Sequence, residues 1–132
     1  MSDRDPVRRL TELRNGLLRL HKVLLESEKA LYERDIERIP NTGKYLDLVM
    51  NDPWFAWLRE LSGMIVLIDE DLAAENPPTV EQADRFIAKA RALLVPSETG
   101  EGFEKQYFTL LQRDPNVVMA HSEMMKVMAG IV

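Results

Sequence analysis

Cysteine is absent from the 132 residues, and that absence excludes disulfide frameworks, thiolate metal sites and cysteine nucleophiles. It also suits a reducing compartment. Histidine is scarce, with only His21 and His121. Long apolar runs are missing as well: the longest, as in Met64 to Ile68, is five residues, far short of the roughly 20 a membrane span needs. The polar start, Met1-Ser2-Asp3-Arg4-Asp5-Pro6, lacks the apolar stretch of a secretory signal. The expectation is a cytoplasmic protein that does not enter the membrane.

Catalytic signatures are also lacking. There is no Gly-rich phosphate loop, no Walker-type lysine and no Gly-x-Ser-x-Gly elbow. Neither histidine has a glutamate three residues before it, since Leu18 precedes His21 and Val118 precedes His121. A ferritin-like di-iron centre requires that pair on two helices. Two histidines are likewise too few for the poly-histidine sites of hemerythrin-like and DinB-like bundles. The run Asp69-Glu70-Asp71 cannot converge on one ion, because consecutive helical residues point about 100° apart. No residue set nominates itself for catalysis, and no cofactor is expected.

What remains is the composition of one ordinary globular domain, 45% apolar and 30% charged, spanning residues 1–132. The net charge of −5 is unevenly spread. Residues 1–22 hold six basic and three acidic side chains, a local +3 that leaves −8 for the remainder. An acidic total with no nucleic-acid motif speaks against a nucleic-acid partner. The basic first helix reads as a solvated face, or as a dock for an acidic surface.

Periodicity gives an all-α fold: a bundle of about four main helices with one or two short ones. Three Asp-Pro pairs, at 5–6, 52–53 and 114–115, each supply a capping carboxylate and a first-turn proline. From the first, Leu10, Leu13, Leu17, Leu20, Leu24 and Leu31 recur at alternating three- and four-residue steps, interrupted only by Ser27. Leu18, Leu25 and Tyr32 widen that seam, and helix is expected to about Ile39. Gly43 to Asn51 reads as a short helix. From Asp52 to about Ala74, Trp54, Phe55, Trp57, Leu58, Leu61, Met64–Ile68 and Leu72 leave little polar circumference. Such a helix belongs in the middle of a bundle. Thr79-Val80-Glu81-Gln82 matches a capping box and opens a helix that ends before Pro96. A polar loop at 97–102 and two last helices, divided at Asp114-Pro115, complete the chain.

Two kinds of candidate site follow. His21 and His121 each lie beside apolar residues at helical spacing, and Asp69 is one turn from Ile65 and Leu72. Convergence of His21, Asp69 and His121 would make a small-molecule or single-metal site, while separate placement would make each a structural hydrogen bond. The second candidate is an interface. Trp54, Phe55 and Trp57 span too much of a helical turn to share one face, and Met124, Met125 and Met128 give an adaptable apolar patch. Together they point to a non-enzymatic protein acting by association, as a homodimer or with another protein.

The stretch Asp52-Pro53-Trp54-Phe55-Ala56-Trp57-Leu58, continuing through Leu61-Ser62 to Ile68-Asp69-Glu70, resembles a family of short bacterial proteins of no known activity. The similarity extends to Arg113-Asp114-Pro115-Asn116-Val117-Val118 and His121. It implies a bacterial source and an all-α fold, and assigns no cofactor or catalytic residue.

Overall fold

A computed structural model describes residues 4–132. Among them are six α-helices, one 3-10 helix and no strand. The helices are α1 (Pro6–Asp35), α2 (Thr42–Asn51), the 3-10 helix (Pro53–Leu58), α3 (Arg59–Ala73), α4 (Val80–Leu93), α5 (Phe103–Arg113) and α6 (Pro115–Ile131). The fold is an all-α bundle. No helix among the described residues is long and apolar enough to cross a membrane.

Local chemistry sets the boundaries. Asp5, Asp52 and Asp114 each accept a hydrogen bond from the backbone N–H two residues on, with proline filling the next position. Asn41 caps α2 by accepting from the backbone N–H of Lys44, three residues on. Thr79 and Gln82 form both halves of the capping box on α4. α1 stops at Asp35, earlier than its pattern suggests. Ile39 lies beyond the helix, its N–H bonded to the Glu33 carboxylate at 3.0 Å.

The sequence places the helix expected from Asp52 to about Ala74 at the middle of the bundle. The structure puts α1 there instead. This 30-residue helix, about 45 Å long, packs against α3, α4, α6 and the 3-10 helix. Its seam Leu10, Leu13, Leu17, Leu20 and Leu24 is at most 1% exposed. α3 and α6 run antiparallel to it. Arg14 meets Asp69 on α3, while Arg9 and Gly16 meet Ile131 and Met124 on α6. A Cβ at Gly16 would lie 2.8 Å from the Met124 sulfur, so the missing side chain leaves the room that the Met124 thioether fills. α3, by contrast, buries only one stripe, Leu61, Ile65 and Ile68. Val66 and Leu67 are about half exposed, at 53% and 51%. Apolar composition does not fix how many neighbours a helix acquires, and α1 is the helix long enough to serve them all.

The segment expected to begin the central α-helix is a 3-10 turn. At three residues per turn, Trp54 and Trp57 stack on one side and Phe55 and Leu58 on another. Phe55 and Leu58 are buried, 1% and 2% exposed, against Tyr32, Tyr45 and the α1 seam. This resolves the crowding of three aromatics in four residues.

Candidate functional site

The 3-10 geometry aims both indoles at one residue, Glu28. Trp57 Nε1 donates to Glu28 Oε2 and Trp54 Nε1 to the Glu28 carbonyl, each at 3.3 Å. Arg113, at the end of α5, donates to Glu28 Oε1 at 3.3 Å. Glu28 is buried on α1, so one side chain ties α1, the 3-10 helix and α5 together. Burial raises its pKa above the usual carboxylate value, with the Trp57 and Arg113 contacts pulling the other way. Glu28 lies one turn after Leu24 and one before Tyr32, which is the sequence signal that it sits on the buried face. Arg113, 85 residues on, carried no such signal.

A second charged cluster lies at the opposite end of α1. Arg9, although buried, donates to the Ile131 carbonyl and to Asp84 Oδ1, both at 2.8 Å. Exposed Arg4 takes the other Asp84 oxygen at 2.8 Å. The hydrogen bond from Arg9, then the charge of Arg4, holds the Asp84 carboxyl below its ordinary pKa. Both clusters join helices, and neither has the nucleophile and poised base of a catalytic centre.

The three residues considered for a binding site have separate partners. Asp69 pairs with Arg14 at 2.6 Å, with 44% of its side chain exposed. His121 Nδ1 hydrogen-bonds the hydroxyl of buried Tyr107, joining α5 to α6. Burial lowers the His121 pKa and raises that of Tyr107, which keeps both groups neutral. His21 lines a cleft of about 280 Å³ with Val49, Met50, Phe55, Leu58 and Ser62, and burial lowers its pKa too. Among the described residues no three His, Asp or Glu side chains gather as a metal-binding group.

The residues expected at an interface are largely inside the chain. Phe55, Met124 and Met128 are 1%, 2% and 3% exposed, which corrects their reading as a binding surface. Met124 fills the space over Gly16, and the core is what its flexible thioether serves. Trp54, Trp57 and Met125 are half-buried against that core, the two indoles being oriented by Glu28.

Exposed apolar side chains occur elsewhere. Val66 and Leu67 stand on the outer face of α3, Leu46 and Met50 on α2, and Val118 and Met119 on α6. The α3 face has a further property. A Cβ built on exposed Gly63 meets nothing within 4 Å, so none of the described residues requires its smallness. A second cleft, of about 460 Å³, opens on the far edge of α3, with Met64, Leu93 and Phe103 among its lining and Glu60 and Lys89 beside them.

Comparison of the chain with protein-family models, with curated proteins and with solved structures gave no match.

Proposed function

We propose that this protein works by association, first with a second copy of itself and otherwise with another protein, rather than by catalysis. The observation that carries this reading is the outer face of α3, where Val66 and Leu67 are half exposed beside a glycine that none of the described residues packs against. Apolar groups left on a helix face, with no neighbour from their own chain, gain free energy when a partner removes them from water. The clusters at Glu28 and Arg9 are consistent with this role, because they brace the bundle behind that face. A bacterial cytoplasmic setting accords with the absence of cysteine and with the resemblance carried by Asp52–Glu70.

The reading predicts a dimer at micromolar concentration. Small-angle scattering across a dilution series tests it, and a constant monomer mass refutes self-association. The alternative is a small-molecule site, and the His21 cleft favours it over any site joining His21 to Asp69 or His121. Titration with small apolar ligands while monitoring the His21 imidazole resonances tests that alternative; unmoved resonances refute it.

A further inference from the structure

We infer that α3 pairs antiparallel with α3 of a second copy across a two-fold axis, with Gly63 at the crossing and Arg59 of each chain facing Glu70 of the other. This rests on the reading of the protein as self-associating and names the surface and its register.

Arg59, Gly63, Val66, Leu67 and Glu70 are exposed positions of α3, with exposed Glu60 and Ala73 just beyond them on either side. At about 100° per residue they fall within one strip about 100° wide, the width of a helix-packing face. At the middle of the strip lies Gly63, where the backbone is bare and a second helix can approach closely, with Val66 and Leu67 flanking it. The strip carries opposite charges at its two ends, Arg59 and Glu70, about 16 Å apart along the axis. Neither forms an ion pair among the described residues; Arg59 donates only to the Asp52 carbonyl, at 3.3 Å.

Those ends decide the direction. A parallel pairing would set Arg59 on Arg59 and Glu70 on Glu70. An antiparallel two-fold sets each arginine against the other chain's glutamate, twice per dimer, with Gly63 against Val66 between them. Glu60 lies just outside the strip, next to Leu67, on the edge that borders the second cleft, which it lines together with Lys89. Met50 and Ser62 flank the Arg59 edge and extend the apolar surface onto α2. One helix pair buries less than the roughly 1,200–2,000 Å² of a standard interface, so the expected dimer is reversible.

Sedimentation velocity on the full chain, over a concentration series, tests the pairing with Arg59→Glu, Glu70→Arg and the double variant. Each single exchange places like charges at both contacts and is expected to weaken dimerisation about tenfold or more. The double exchange restores the pairing with the charges reversed and should return the affinity to within about threefold of the parent. That rescue also excludes misfolding as the cause of the single-variant losses. If the chain dimerises but the single exchanges have no effect, or the double exchange does not rescue, the α3 register is wrong while self-association stands. If the parent chain is monomeric at every concentration, the pairing falls with self-association, and the α3 face is left to a different protein.

Discussion

Replacing Glu28 perturbs the structure most informatively, because three elements meet on its carboxylate. Glu28→Ala leaves Trp57 Nε1 and Arg113 Nη2 without their acceptor. An unsatisfied buried donor costs about 1–3 kcal/mol, and both groups are partly solvated, so about 1 kcal/mol each is appropriate. Loss of the buried methylene adds about 0.8 kcal/mol. The variant should therefore be destabilised by about 3 kcal/mol, a large part of the roughly 5–15 kcal/mol that a domain has. Glu28→Gln behaves differently, and its pH dependence is diagnostic. Burial raises the folded-state pKa of Glu28 above the unfolded value. The unfolded chain then loses this proton first as pH rises, and the native state loses stability through that window. Below the unfolded value, near 4.5, both states are protonated and Glu28 contributes nothing to the pH dependence. The stability of wild type relative to Glu28→Gln should thus fall as pH rises from below 4.5 through the folded pKa, then level off. Urea unfolding from pH 3 to 8 measures this, followed by circular dichroism and by the emission of the only two tryptophans, both bonded to Glu28. A difference that is flat with pH, or one in which wild type gains with rising pH, refutes the argument. The latter would mean that Arg113 outweighs burial.

Other perturbations isolate single contacts. Tyr107→Phe strips His121 of its partner and should cost about 1 kcal/mol at pH 8, where the imidazole is neutral; an unchanged urea midpoint would show the bond to be energetically silent. Asp84 has a lowered folded pKa, so its contribution exists above the ordinary carboxylate range and is lost as pH falls through that pKa. Asp84→Asn should accordingly flatten the acid limb of the stability curve, and thermal melts between pH 2 and 6 that parallel wild type would contradict this. Gly63→Ala should stabilise the dilute monomer by about 0.5–1 kcal/mol, since a methyl there meets open space and alanine is the better helix former. If α3 pairs as inferred, the same change weakens the dimer; stability and affinity rising together would count against the inference.

Much of the fold was legible because its signals are local. A carboxylate followed by proline, or Thr79 three residues before Gln82, acts on the neighbouring N–H groups whatever the rest of the chain does. All four starts appear where the sequence puts them. The leucine seam of α1 was equally plain. The ranking of helices was not, because α3 is the more apolar of the two and α1 is marked as the axis only by its length and partners. The 3-10 turn at Pro53–Leu58 was hidden because the proline start and the aromatic spacing suit either helix type. The candidate site fared worse. Met124 and Phe55 look the same in sequence whether they face a partner or their own core. The pairing of Arg113 with Glu28, or of Arg14 with Asp69, depends on which helices become neighbours. The α3 face escaped notice for a simpler reason, since Val66 and Leu67 sit inside an apolar run that reads as buried.

The placement of α1 at the axis has a consequence for synthesis. α1, which packs against α3, α4, α6 and the 3-10 helix, leaves the ribosome before all of them, and the partner it packs against most extensively, α6, follows the others. At about 5–20 residues per second, the 96 residues from the end of α1 to the end of α6 take on the order of 5–20 s. Throughout that interval the five fully buried leucines of α1 have no complete covering. The nascent chain therefore presents an apolar helix for seconds before the bundle closes, a natural substrate for a ribosome-associated chaperone. Codon choice between α3 and α5, by lengthening or shortening that exposure, should alter the soluble yield of a protein whose sequence is unchanged.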